Sequence, residues 1–368
     1  MLPHTERLLL GPGPSPVAPR VMRAMGAPIL SHLDPDMMAI LDDVRARLAR
    51  MFRAPSDALA FAISGTGTSG MEAAVANVTR PGTRALVVVT GYFGDRLGQM
   101  LQRYGATVSR VDTPWGRASD PSQVERALNE EGADVVAMVH AETSTGVLNP
   151  VAELCRVAAA RGALTIVDAV TSFGAHPVDV ASWGADVVYS CTQKGLGAPS
   201  GLAPIVFSSR ARSLPRAAAA TDTRRSFYFD LALLEDYWLR RKYHHTISAP
   251  LVYALREALV AVEEEGLEKR WARHERTYRE LVAGLGAMDV RLLPPEGERL
   301  WSLNAVVVPD GVDEAAIRQR ILNDFNIEIG AGLGPLAGRI WRVGLMGSGS
   351  TITNVLLFLN ALKRALQR

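Results

Sequence analysis

Cysteine is nearly absent from this 368-residue chain: Cys155 and Cys191 are its only two. Two cysteines cannot build a disulfide framework or a thiolate metal cluster, so a reducing compartment is expected and cytoplasmic placement with it. Net charge is scarce too. The 40 basic and 38 acidic residues leave +2, which offers no electrostatic footprint for a nucleic acid or an anionic membrane surface. No apolar run approaches the ~20 residues needed to span a bilayer. The start, Met1-Leu-Pro-His-Thr-Glu-Arg7, lacks the basic segment and apolar core of a secretory leader, and the final Ala-Leu-Gln-Arg368 is not a peroxisomal address.

Hydrophobic residues are plentiful, at 48%, enough for a large core, and the length exceeds one average core. Two domains are therefore expected, a large one over 17–265 and a smaller C-terminal α+β domain over 266–368, preceded by an extended arm over 1–16. The prolines and glycines of residues 8–19 forbid helix and leave an arm draped on the body or reaching a partner. From 59 to 207 the pattern alternates strand and helix. Apolar strands at 59–63, 84–90, 107–111, 135–139, 163–168, 185–190 and 203–207 are separated by helices, among them 95–104, 121–131 and 151–161. That alternation predicts an α/β fold with a largely parallel sheet covered on both faces.

Each strand ends in small polar residues, and two ends matter most. Ala163-Leu-Thr-Ile-Val-Asp-Ala-Val170 delivers Asp168, and Ala185-Asp-Val-Val-Tyr-Ser-Cys-Thr-Gln-Lys-Gly195 delivers Lys194. A lysine is ordinarily a solvated surface charge. Two parallel strands would instead hold this acid and this amine at one sheet edge, where α/β ligands bind. An amine that forms a Schiff base with pyridoxal phosphate, beside an acid for the pyridinium nitrogen, is one established use of such a pair. Upstream, Ser64-Gly-Thr-Gly-Thr-Ser-Gly70 opens an alanine-rich helix, where free N–H groups, the positive dipole end and hydroxyls suit a phosphate. Thr66, Gly67 and Thr68 are the expected donors. The same loop satisfies G-x-G-x-x-G, but no acid follows about 20 residues on, as a nicotinamide dehydrogenase would need. His244 and His245 adjoin, yet sequence neighbours point apart and no carboxylate or cysteine set accompanies them, so no metal is expected.

Together, Gly-Pro-Gly-Pro14, Ser64-Gly-Thr-Gly, Ser144-Thr-Gly-Val147, Val167-Asp-Ala-Val170, Cys191-Thr-Gln-Lys194, Tyr243-His-His-Thr246 and Trp341-Arg-Val-Gly-Leu-Met-Gly347 resemble the class V pyridoxal-phosphate aminotransferases, most closely the alanine–glyoxylate and serine–glyoxylate group. The resemblance implies fold-type I architecture with a mostly parallel seven-stranded sheet. It also implies two-step ping-pong transfer of an amino group from alanine or serine to glyoxylate or pyruvate. Lys194 would carry the cofactor and shuttle the proton, and Asp168 would hold the pyridinium proton. Thr66, Gly67, Thr68 and Gln193 would take the phosphate, and Thr143 the ring hydroxyl and substrate. Phe93 stands where close relatives stack a tryptophan on the ring. Arg342 would grip the substrate α-carboxylate. Tyr243 and Thr246 would reach the phosphate of a neighbouring subunit, making a homodimer with shared sites. A cysteine desulfurase of the same fold needs a thiolate on a loop well after the lysine, and both cysteines precede it.

Overall fold

A computed structural model describes residues 6–214 and 226–367. Its centre is a seven-stranded sheet: β1 (Leu59–Ser64), β2 (Arg84–Val89), β3 (Thr107–Asp112), β4 (Val135–Val139), β5 (Leu164–Asp168), β6 (Val187–Tyr189) and β7 (Leu202–Phe207). The spatial order is β1-β7-β6-β5-β4-β2-β3. Only β7 runs against the rest, pairing antiparallel with β1 and β6. The expected α/β architecture and seven strands are thus present, with one reversed strand making the sheet mixed.

The local reasons are plain. Val135–Val139 and Leu164–Asp168 are buried at every position, as strands covered on both faces must be, and they read as unbroken apolar runs. The edge strand β3 is different: Thr107, Arg110 and Asp112 are exposed, and Arg110 pairs with Asp112 at 2.7 Å, so charge guards the open edge. Helices α1 (Pro35–Met51), α2 (Gly67–Val78), α3 (Tyr92–Arg103), α4 (Pro121–Glu131), α5 (Val151–Ala159), α6 (Leu231–Arg240) and α7 (Ala249–Glu265) accompany this sheet. Asp34, Asp120 and Asp230 cap α1, α4 and α6 with side-chain bonds to first-turn amides. Helix α6 was not expected, because the aromatic and arginine content of its segment masked the period.

A second hydrophobic cluster joins α8 (Leu267–Gly286), α9 (Glu314–Phe325) and α10 (Ile352–Leu366) to a small antiparallel sheet. That sheet is β8 (Leu303–Val307), β9 (Gly330–Ala331) and β10 (Ile340–Gly344), in the order β8-β10-β9. Leu10 of the arm is buried in this cluster, and Leu8–Leu9 pair in parallel with Ile327–Glu328. From Leu8 onward the arm is draped on the body. Among the described residues no helix is long and apolar enough to cross a membrane.

Candidate active site

The carboxyl ends of β1, β2, β4, β5 and β6 surround one cleft of about 640 Å³, the solvent at its mouth included. Its walls are Thr66, Gly67, Thr68, Met71, Phe93, Arg96, Val139, Ala141, Thr143, Asp168, Val170, Gln193 and Lys194. Residues more than a hundred positions apart converge because parallel strands deliver all their ends to one rim.

At one end of the cleft, β1 turns into α2. Gly65 has φ +136°, and a Cβ there would lie 2.1 Å from Ser69 Oγ, so only glycine closes the turn. The Thr66 amide donates to Ser69 Oγ at 3.3 Å. The first-turn amides of Gly67 and Thr68 have no acceptor within the helix, and the positive end of its dipole faces the same way. The Gln193 amide oxygen is buried without a partner, so that group is free to turn its NH2 toward an anion. Arg96 adds a cation on this side, with Nη1 3.4 Å from Thr68 Oγ1. This end suits a phosphate.

Further in stands Asp168, 3% exposed. Its Oδ1 accepts from the Val170 amide and its Oδ2 from the Tyr189 hydroxyl, each at 2.8 Å. Burial outweighs these two donors and pushes the carboxyl up to about 6, and the nearby Glu142 adds to the rise. A carboxylate this costly to charge is suited to a cationic group in the cleft.

Lys194 lies beyond β6, beside Asp168 because β5 and β6 pair directly and in parallel. Burial lowers its pKa, and the Arg342 cation lowers it further, favouring the neutral amine that can act as a nucleophile. Its Nζ donates to the Pro12 carbonyl. Gly13, at φ +111°, passes so close that a Cβ would come within 2.7 Å of Lys194 Cδ and Cε. Ser15 Oγ donates to the Lys194 carbonyl at 2.8 Å. The arm therefore forms part of the lysine's surroundings, a role its sequence signalled only by the Gly-Pro-Gly-Pro14 repeat.

Phe93 is half-buried in the cleft wall, on the first turn of α3. The helix begins three residues before the expected 95–104. Its cap comes from far along the chain: Glu142, fully buried, accepts from the amides of Phe93 and Gly94, each at 3.2 Å. A Cβ on Gly91 would sit 2.5 Å from Glu142 Cγ, so glycine is required where the chain passes this acid. Arg96, one turn on, lies over the Phe93 and Tyr92 rings at 5.4 and 5.1 Å. Arg96 and Glu142 were not anticipated as site residues. The Phe-x-x-Arg spacing at helical period is the signal that could have found the first.

Thr143 is buried and shares a hydrogen bond with Thr171. Arg342 is not one of the wall residues above, yet it stands close enough for its charge to act on Lys194. It stands on β10, opposite Gly330, with Nε donating to the Ala331 carbonyl at 2.7 Å and its pKa lowered to about 10 by burial. Tyr243 and Thr246 also lie outside the cleft, exposed on the segment between α6 and α7. The neighbouring histidines face different partners: His245 Nε2 meets Ser64 Oγ at 2.9 Å and His244 Nε2 meets the Tyr228 carbonyl at 3.0 Å. Cys155 and Cys191 are both buried, and burial lifts each thiol to about 12, far from the thiolate a desulfurase would need.

An anion seat, an aromatic face, an amine and a buried acid thus occupy successive walls of one cleft. Pyridoxal phosphate presents a phosphate, an aromatic ring, an aldehyde and a ring nitrogen that takes a proton, and each has a counterpart here. The pattern of the aminotransferase class-V family matches residues 9–338. The (S)-ureidoglycine–glyoxylate transaminase of Bacillus subtilis (strain 168) is 38% identical, over 98% of this chain and 91% of its own length. The alanine–glyoxylate aminotransferase of Drosophila melanogaster is 36% identical, over 98% and 93%. The crystal structure of an alanine–glyoxylate aminotransferase from Nostoc sp. superposes with a TM-score of 0.94 at 42% identity, covering 100% of this chain and 97% of that one.

Proposed function

This chain belongs to the class-V aminotransferase family, and from that premise we propose that it transfers the amino group of alanine or serine to glyoxylate or pyruvate, on pyridoxal phosphate seated in the cleft. The observation that carries the reading is the placement of Lys194, Asp168 and the start of α2 around a single cavity. The bound cofactor would supply an electron sink for the bond broken at the substrate's α-carbon. The chain's own residues do the rest. Thr66, Gly67, Thr68, Gln193 and Arg96 hold the phosphate. Asp168, anchored by Val170 and Tyr189, keeps a proton on the ring nitrogen. Phe93 would supply an apolar wall for the ring and Thr143 a hydroxyl for its polar substituents.

Lys194 would anchor the cofactor through its amine and would serve as the base that moves a proton at the substrate's α-carbon. Arg342 offers a planar pair of donors to the α-carboxylate, a geometry lysine lacks. Tyr243, 64% exposed, and Thr246 are proposed to complete the cleft of a second copy, which makes the active form a homodimer.

The test is direct. Purified protein loaded with pyridoxal phosphate is given alanine, serine or (S)-ureidoglycine with glyoxylate or pyruvate, and glycine or alanine formation is measured. Turnover with ping-pong kinetics and alanine or serine as the preferred donor supports the reading, and a preference for (S)-ureidoglycine would correct the donor. Absence of amino transfer from all three, with cofactor demonstrably bound, would sink it.

A further inference from the structure

Behind the cleft, where α7 meets α8, stand two charges that do not suit their own helices. Arg270 lies in the opening turns of α8, where a cation opposes the dipole, and Glu265 ends α7, where an anion does. Arg270 is only 5% exposed, so it is not a solvated surface charge either. What it suits is a set of carbonyls. Its Nε donates to Gly174 O at 2.9 Å, its Nη2 to Gly195 O at 2.7 Å, and its Nη1 meets Glu265 Oε2 at 2.7 Å. One turn along, Arg273 is held by the same carboxylate at 2.6 Å and donates through Nη1 to Gly347 O at 3.1 Å and Ser350 O at 2.8 Å.

Each of these carbonyls belongs to a segment that carries a functional residue. Gly174 closes the turn after Asp168, Gly195 follows Lys194, and Gly347 to Ser350 follow the strand of Arg342. The three segments also touch through backbone. A Cβ on Gly195 would lie 2.3 Å from Phe173 O, and one on Gly347 would lie 3.0 Å from Gly197 Cα. One planar guanidinium fixes the separation of the first two segments, and its neighbour ties in the third through the shared carboxylate.

We propose that Arg270, braced by Glu265 and Arg273, is a positioning residue that holds the Lys194 amine in register with Asp168, so that covalent capture of the cofactor depends on it. This rests on the function proposed above. In the capture step the neutral Lys194 nitrogen bonds to the cofactor's aldehyde carbon, and the aldehyde oxygen leaves as water with the two amine protons. Arg270 touches neither the amine nor the cleft walls, and it makes no bond to the turn at the start of α2 that seats the phosphate, so covalent capture depends on it far more than seating does.

Two probes separate these effects: pyridoxal phosphate, and 4′-deoxypyridoxine phosphate, which has the same ring and phosphate but no aldehyde. Binding of each to apoprotein is titrated, and capture at Lys194 is located by borohydride reduction and peptide mass spectrometry. In Arg270→Met the affinity for pyridoxal phosphate should fall about tenfold, the scale of one lost charged hydrogen bond, while the deoxy probe binds as to the wild type. Arg270→Lys, which keeps the charge and one donor, should fall about threefold on the same scale and carries the test if the methionine variant does not fold. Equal weakening of both probes would mean a general structural role and overturn the proposal, as would unchanged binding of both. Wild-type protein that captures no pyridoxal phosphate at Lys194 would instead overturn the functional reading itself.

Discussion

Two buried carboxylates stand at the ends of neighbouring strands and are partnered in opposite ways. Glu142, just past β4, is saturated. It accepts from the Ser144 hydroxyl at 2.6 Å and the Ser144 amide at 3.1 Å, besides the Phe93 and Gly94 amides. Asp168, at the end of β5, has two donors and an open side on the cleft. Burial raises the pKa of both. The first acid spends its bonding on fixing the helix that carries Phe93 and Arg96. The second keeps capacity for a ligand. A buried acid thus reads as structural or functional by its unfilled hydrogen-bonding positions rather than by depth alone.

Substitution at these two sites should separate the roles sharply. Asp168→Asn should lower kcat/KM for amino transfer about a thousandfold, as loss of a preorganised electrostatic partner does. The apoprotein should fold as well as the wild type at neutral pH, because the amide replaces a charge that was costly to bury. Equal loss of activity and stability would erase the distinction.

The pH dependence of apoprotein stability sharpens it further. The Asp168 carboxyl sits at about 6 when folded, above its ordinary 3.8. Between those values the folded chain holds a proton that the unfolded chain has released. The stabilising contribution is therefore complete below the lower value and lost as pH rises through the upper one, about 3 kcal/mol in all. Urea unfolding of wild type and Asp168→Asn should diverge by that order across this window, with the variant the less sensitive.

Glu142→Ala should act the other way, lowering apoprotein stability by about 1–3 kcal/mol in the same urea assay, since the buried amides of Phe93 and Gly94 lose their acceptor. Glu142→Gln should recover part of it. The smallest effect is expected at the arm. Gly13→Ala puts a methyl against the Lys194 side chain and strains φ, so pyridoxal phosphate binding should weaken severalfold with little change in unfolding midpoint, at a cost of about 1 kcal/mol.

Much of this site was legible in the sequence because parallel strands announce themselves. Val135–Val139 and Leu164–Asp168 are unbroken apolar runs, and whatever polar residue ends such a run must sit on the rim. Asp168, Lys194 and the Thr66–Thr68 turn could be placed by that logic, whereas Thr143 was singled out by the family resemblance. The start of α3 could not, because its cap is supplied by Glu142, some fifty positions away. Arg270 was equally hidden, since an arginine in an amphipathic helix looks like a surface charge until its carbonyl partners are seen. The short strand Gly330–Ala331 exists only through pairing with Trp341 and Arg342, and a glycine-rich run carries no strand signal of its own.

The most direct test is of the proton on the cofactor's ring nitrogen that Asp168 is proposed to hold. Pyridoxal phosphate labelled with ¹⁵N in the ring is bound to wild-type protein and to Asp168→Asn, and the nitrogen chemical shift is recorded at a pH where free pyridine nitrogen is unprotonated. A protonated ring nitrogen is expected in the wild type and a neutral one in the variant. A neutral nitrogen in the wild type, or a protonated one in both, would contradict that role for Asp168.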